Sequence, residues 1–302
     1  MSTQEQTALE ERPTAFDELM ELTNRLLVSA HALAALAARL RLDQLGTDGD
    51  AAVRAQLDRV TDVLGVREQL DALGPGERAV LLAFARSYLA QGLDLVDDPA
   101  REGAWTHGDP TLLQAQGSAS AVVATLLTRL ELVPPGARIL DIGTGVAGLA
   151  TAFCNVAPDT TVVGIDPWPP ALELARRNVA AAGLQSRVTL VETTIRDFED
   201  RDGFDLAWLP SFFIPEAALD DAFVRIYELL RPGGRIVVGV TLADESEPLA
   251  QTTDDLVTVR SGGSVLGVGD AIARLTRAGF GAVRELERTW NPPLRFVVGE
   301  RA

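Results

Sequence analysis

Three glycines, Gly143, Gly145 and Gly148, fit the pattern G-x-G-x-x-G inside "ARILDIGTGVAGLATAF", residues 137 to 153. The run reads as a strand, a tight turn and the start of a helix. Glycine in such a turn lets backbone approach a ligand, permits unusual dihedrals and allows the helix to pack on the strand. Two ligand classes use it: a dinucleotide, or S-adenosylmethionine. Asp166 lies 18 residues after Gly148 at the end of the next apolar run. A carboxylate there accepts both hydroxyls of a ribose, which suits either ligand. Asp141, two residues before Gly143, separates them. Beside a pyrophosphate it would be repelled; beside an ammonium and a sulfonium it would be attracted. Asp in a turn also satisfies backbone amides, which is its plainer use.

Other residues bear on chemistry more loosely. His107, in "WTHGDP", stands in a turn-rich linker (97–110) and is the candidate general base, because only His titrates near neutral pH unaided. A turn-capping or solvated role is its alternative. His31 lies on an apolar helical stretch and reads as a packed core residue. Trp105, Phe212 and Phe213 are candidates for an apolar substrate wall. Gln116, Gly117 and Ser118 either place polar groups on a cofactor carboxylate or permit close helix packing.

The elements that must position these residues fall into two regions. Residues 1–13 read as a disordered tail ending at Pro13. Residues 14–100 are Ala- and Leu-rich with helical spacing, starting near Thr14 and punctuated at Gly46–Gly49, Gly65 and Gly74–Gly76 into about four helices. Too apolar for a free surface, this region is expected to cap the substrate pocket, to form a homodimer interface, or both. Residues 101–302 form the second region. After a single helix over about 111–130, short β-branched runs at 138–142, 161–166, 188–193, 204–210 and 235–242 alternate with helices. That alternation predicts a doubly wound, mostly parallel α/β sheet. Runs at 282–290 and 294–300, separated by Asn291-Pro292-Pro293, must pair antiparallel, since three residues cannot make a parallel crossover. The expectation is a seven-stranded sheet closed by a C-terminal hairpin, beside an N-terminal helical domain.

Composition excludes several functions. The formal charge of −16, from 43 acidic and 27 basic residues, repels phosphate backbones and anionic membrane surfaces, so no nucleic acid or membrane partner is expected. All 27 basic residues are Arg, so no Schiff-base or P-loop lysine is available. Cys154, His31 and His107 cannot build a usual Cys/His zinc site, and no metal is expected. A single cysteine fits a reducing cytoplasm. The polar, acidic first residues lack the basic and apolar segments of a signal peptide, and the apolar stretch 26–42, interrupted by His31, Arg39 and Arg41, is no membrane span.

Over about residues 111–302 the sequence resembles class I S-adenosylmethionine-dependent methyltransferases. The resemblance rests on "ILDIGTGVAG" (139–148), "VVGID" (162–166), "RVTLVETTIRDF" (187–198), "FDLAWLPSFF" (204–213), "LRPGGRIVVG" (230–239) and the terminal hairpin, in the family's order. It implies S-adenosylmethionine as cofactor and S-adenosylhomocysteine as product. Asp141, Gly143, Thr144, Gly145 and Gly148 would line its methionine end and ribose. Asp166 would take the diol, and Pro167 and Trp168 would lie against adenine. Thr194 and Ile195 would reach the adenine edge, although the family commonly has an acid where Thr194 stands. Leu209, Pro210 and Ser211 would end the fourth strand beneath the methyl. With an acidic surface and a covered apolar pocket, the expected reaction is methylation of a small metabolite of natural-product or secondary metabolism, at oxygen before nitrogen or carbon. The alternative is a protein of the same fold that uses the sulfonium charge for a rearrangement or decarboxylation. A nicotinamide oxidoreductase is disfavoured by Asp141, the hairpin and the lack of Lys.

Overall fold

A computed structural model describes residues 13–105, 108, 110–241, 247–290 and 294–302. His107 and residues 1–12 lie outside the described residues, as do residues 291–293. The contacts divide the chain into two compact units between Ala85 and Arg86.

The first unit is helical. Helix α1 (Ala15–Leu45) starts where the sequence places it: the Thr14 hydroxyl accepts from the Asp17 N–H, and the Asp17 carboxylate accepts from the Thr14 N–H. Gly46, at φ 64°, ends it in the left-handed region. Helices α2 (Ala51–Val63), α3 (Arg67–Ala72) and the beginning of α4 (Pro75–Asp97) follow. Their shared core is small: Ala37, Leu40, Leu82 and Ala85. Charges supplement it, with Arg39 reaching Asp58 at 2.9 Å and Arg78 reaching Asp43 at 3.2 Å. Residues 13–31 are exposed throughout. His31 is therefore not the core residue that its apolar setting predicts, because α1 meets the core of this unit from Leu36 onward. Among the described residues α4 is long and apolar enough to cross a membrane by length and composition, and 22% of that stretch is buried in the fold.

In the second unit a seven-stranded sheet has the order β3-β2-β1-β4-β5-β7-β6. The elements run α5 (Pro110–Ser120), α6 (Val122–Arg129), β1 (Arg138–Ile142), α7 (Gly148–Val156), β2 (Thr161–Asp166), α8 (Pro169–Ala181), β3 (Val188–Glu192), β4 (Phe204–Pro210), α9 (Glu216–Leu229), β5 (Leu230–Thr241), α10 (Pro248–Arg260), α11 (Val268–Arg277), β6 (Gly281–Glu285) and β7 (Leu294–Glu300). Strands β1 to β5 pair in parallel, and β7 enters antiparallel between β5 and β6. The seven-stranded fold with its C-terminal hairpin and helical N-terminal region is thus the one expected.

Period-2 alternation sends successive side chains to opposite faces. On β4, Leu206 and Trp208 join α6, α7 and α8 in one core, while Ala207 and Leu209 join α9 and α11 in the other. Strand β1 lies between β2 and β4, and the chain leaves β1 and β4 for helices on opposite faces. That reversal opens a crevice beyond the carboxyl ends of these strands, the place where such sheets bind ligands.

Three local features differ from the sequence reading. The predicted helix over 111–130 is two helices, broken at Ala121. Ser120 donates to the Gly117 carbonyl at 2.8 Å, a local bond that competes with the helical ladder. Helix α10, in a segment without a clear sequence signal, is the second, and the third is the run expected as a strand over 282–290, which is strand only as far as Glu285.

Candidate active site

The glycine turn is built by backbone bonds across the crevice. The Gly143 and Thr144 N–H groups donate to the Ile165 carbonyl at 2.9 and 3.0 Å, binding the end of β1 to the end of β2. Gly143 (φ 69°) and Gly145 (φ 55°) both need the left-handed region. Gly148 has another role. A Cβ on it would stand 2.1 Å from the Gly117 carbonyl oxygen, and a Cβ on Gly117 would stand 2.1 Å from Val146 Cγ2. The two glycines let α5 cross the first turn of α7. The left-handed residue at the helix start is instead Ala147, at φ 61°, which the G-x-G-x-x-G pattern does not mark.

Two carboxylates stand in this turn. Asp141 is buried, and its Oδ2 accepts from the Thr144 hydroxyl at 2.7 Å. Burial pushes its carboxyl up to about 7; the Thr144 bond opposes the shift and the nearby Asp166 charge adds to it. Asp166 is also buried. Its Oδ2 accepts from the Gly145 N–H and its Oδ1 from the Trp168 N–H, each at 2.8 Å. Burial raises this carboxyl as well, against the two amides that favour its ionised form. Desolvated, mutually repelling carboxylates in a backbone cradle form a receptor for positive charge and for hydroxyl donors. An ammonium, a sulfonium and a ribose diol fit that donor set; a pyrophosphate does not.

Aromatic residues stand beside the turn. Trp168 precedes α8 and, with Trp105, packs on Leu113, Val146, Ala171 and Leu174. Val146 belongs to the glycine turn, so both indoles pack on a cluster that includes a residue of the cradle. Trp105 meets Phe213 edge to face at 5.3 Å, and Phe213 meets Phe212 at 4.9 Å. The three candidate wall residues, from a linker and from the turn after β4, therefore form one aromatic row.

The remaining candidates are more dispersed. Pro167 is exposed beside Asp166. Thr194 is exposed, and its hydroxyl donates to Asp197 Oδ2 at 2.7 Å. Ile195 is buried with Val163, Ile165 and Phe198, and Leu209 is fully buried on the same face of the sheet. Ser211 donates to the Gly239 carbonyl at 2.9 Å. Of the "QAQGSAS" residues, Gln116 accepts from Ser87, Gly117 makes the close crossing, and Ser118 donates to the Gln114 carbonyl. Among the described residues a separate cleft of about 350 Å³, lined by Arg138, Val163, Val191, Phe198 and Asp200 among others, holds none of the candidates.

Sequence reasoning missed the segment Arg260–Ser264. Ser264 donates from its hydroxyl to the Ile214 carbonyl at 2.6 Å, and a Cβ on Gly263 would stand 1.8 Å from the Phe212 carbonyl oxygen. The Gly-Gly pair flanked by serines was its one local signal.

Residues 139–234 match a family model described as a methyltransferase domain. Methyltransferase GfsG of Streptomyces halstedii is 31% identical over 206 residues, which are 63% of this chain and 72% of that protein. Demethylmenaquinone methyltransferase of Thermus thermophilus is 39% identical over 109 residues, covering 36% of this chain; the chain spans about half of that relative, 48%. The solved structure of the mitomycin 7-O-methyltransferase MmcR superposes with a TM-score of 0.63 at 19% identity, over 95% of this chain and 99% of that one.

Proposed function

The chain belongs to the class I S-adenosylmethionine-dependent methyltransferases, and on that premise we propose that it methylates a small organic acceptor, at oxygen by preference, in natural-product biosynthesis. One observation carries the choice of acceptor: the aromatic row Trp105–Phe213–Phe212 beside the glycine turn, an apolar wall suited to a flat organic molecule. The likeness in fold to a mitomycin 7-O-methyltransferase supports it, and so does the charge of −16, which disfavours nucleic acid.

The cofactor supplies a methyl group already activated by the sulfonium. In this reading Asp141 faces the positive charge, Gly143 to Gly145 and Gly148 shape the cradle, and Asp166 accepts from the ribose diol. Pro167 and Trp168 bound adenine, Thr194 and Ile195 border its edge, and Leu209 and Ser211 support the floor at the end of β4. Trp105, Phe212 and Phe213 align the acceptor. Alignment contributes about 7–11 kcal/mol of the barrier. A general base contributes about 10²–10⁴-fold, less than alignment. His107, two residues after Trp105, is assigned that role, in a protein resident in the cytoplasm.

Incubation with methyl-labelled S-adenosylmethionine and fractionated cell extract tests the reading. Label is expected in the small-molecule fraction. Label in protein or nucleic acid would overturn the acceptor class, and cofactor binding without label in any fraction would favour the charge-assisted alternative.

The same proposal includes a homodimer built on α1. Leu19, Leu22, Leu26 and Leu33 recur at spacings of three, four and seven, and all are exposed. Such a seam is half of a helix–helix interface and needs an apolar partner. A second copy supplies the same seam under twofold symmetry. Light scattering is expected to give a dimer for the native chain and a monomer for Leu26→Asp. A monomeric native chain at micromolar concentration would end this part of the proposal.

A further inference from the structure

Arg260, the last residue of α10, is nearly buried and forks into the linker that carries Trp105. Its Nε donates to Asp94 Oδ2 at 2.9 Å, its Nη1 to the Arg101 carbonyl at 2.8 Å, and its Nη2 to the Asp94 and Asp98 carbonyls. Its own carbonyl accepts from the Ala104 N–H at 3.2 Å. Arg101 completes the clamp: it donates to the same Asp94 oxygen at 2.8 Å and to the Ala104 carbonyl at 2.7 Å. The two guanidinium groups hold the Asp94 carboxyl below the usual carboxylate range despite its partial burial.

The backbone on either side of Arg260 is in tight contact with both halves of the aromatic row. A Cβ on Gly103 would stand 2.3 Å from the Val259 carbonyl oxygen, and one on Gly262 (φ 77°) would stand 2.9 Å from Ala104 Cα. On the other side, Gly263 presses on the Phe212 carbonyl and Ser264 binds the Ile214 and Ser211 carbonyls. The end of α10 is thus a bracket that joins the linker before Trp105 to the turn that carries Phe212 and Phe213.

We infer that Arg260 is a positioning residue for the acceptor wall, holding Trp105 in register with Phe213 through the planar fork of its guanidinium. This rests on the proposed reading of the site, in which that wall receives the acceptor. A fork delivers several donors in one fixed plane, which a flexible ammonium cannot do. The ion pair with Asp94 keeps the fork in place, and the carbonyl bonds set where the linker runs.

The test is fluorine NMR of the full chain labelled with 5-fluorotryptophan, with Trp105→Phe used to assign the Trp105 resonance. Spectra are recorded with and without S-adenosylhomocysteine, whose affinity is measured in parallel. In Arg260→Met the Trp105 resonance is expected to shift or broaden to loss, while those of Trp208 and Trp290, buried on the sheet, stay in place and S-adenosylhomocysteine affinity is unchanged. Arg260→Lys, which keeps the charge beside Asp94 but not the fork, is expected to give the same loss; it also carries the test should the methionine variant not fold. An unmoved Trp105 resonance, restoration by lysine, or equal movement of Trp208 and Trp290 would overturn the inference. Failure of the native chain to bind S-adenosylhomocysteine would instead count against the cofactor reading, and the spectra of the empty protein still decide the role of Arg260.

Discussion

Asp141→Asn is expected to weaken cofactor binding by at least about 30-fold and, at the same time, to stabilise the empty protein at pH 8. The Asp141 carboxyl is raised from 3.8 to about 7 in the fold, chiefly by burial and further by the charge of Asp166. Between pH 4 and pH 7 the native state therefore keeps a proton that the unfolded chain has lost. Stability contributed by this site falls as pH rises through that window and levels off above pH 7. Three pH units correspond to about 4 kcal/mol. Asparagine carries no charge to desolvate, and its carbonyl still accepts from the Thr144 hydroxyl. Thermal unfolding of the empty variant should therefore match the native chain below about pH 4, and its advantage should grow up to pH 7 and persist at pH 8. Binding moves the other way, because the site loses the charge that faces the ammonium and sulfonium. Removing one partner of a buried charge pair costs about 2–5 kcal/mol, roughly 30-fold to several thousand-fold in affinity. For the native chain, S-adenosylmethionine affinity should rise as pH increases towards and through 7, because Asp141 must ionise to receive the cation. Calorimetric titration at pH 6, 7 and 8 reads both effects. Native affinity in Asp141→Asn would remove this carboxylate from the site.

Gly148→Ala is the second large effect. The added methyl would lie 2.1 Å from the Gly117 carbonyl oxygen and 2.5 Å from its carbon, so backbone and not a flexible side chain must move. Overpacking of this kind costs about 1–3 kcal/mol, sometimes more. The displacement starts at the first residue of α7, directly after the turn that places the Gly145 N–H on Asp166. Loss of S-adenosylhomocysteine binding is expected together with the loss of stability. Ala147→Gly is the control one residue away. At φ 61° alanine pays for a left-handed conformation that glycine adopts freely, so this change should leave stability unchanged or raise it by up to about 1 kcal/mol. Equal effects of the two substitutions in chemical denaturation would contradict the assignment of Gly148 to helix crossing.

The cofactor side of the site is legible in the sequence because its residues are local. Asp141 to Gly148 form one strand–turn–helix unit, and Asp166 closes the next strand, so spacing alone places them at the same sheet edge. The alternation of strands and helices follows from the same local patterns, and so does the antiparallel terminal pair, although its first strand ends at Glu285 and not at residue 290. The start of α1 is equally local, since Thr14 and Asp17 cap each other.

The acceptor wall is of another kind. Trp105 precedes Phe213 by more than a hundred residues, and their contact depends on a clamp between Asp94, Arg101 and Arg260 that no periodicity marks. Helix α10 was equally hidden. The exposure of His31 and of the leucine seam on α1 shows the limit in the opposite direction: the sequence reports an apolar helix, but not which surface it buries against.

By itself, then, the sequence determined the mostly parallel sheet with its antiparallel end and the carboxylates of the glycine turn, because these depend on hydrogen bonds and turns between near neighbours along the chain, while the order of the strands came from the structure. The tertiary structure decided why Gly148 must be glycine, how far burial raises Asp141, and which aromatic residues meet. Those properties arise where distant segments exclude water and one another, and no local spacing encodes that exclusion.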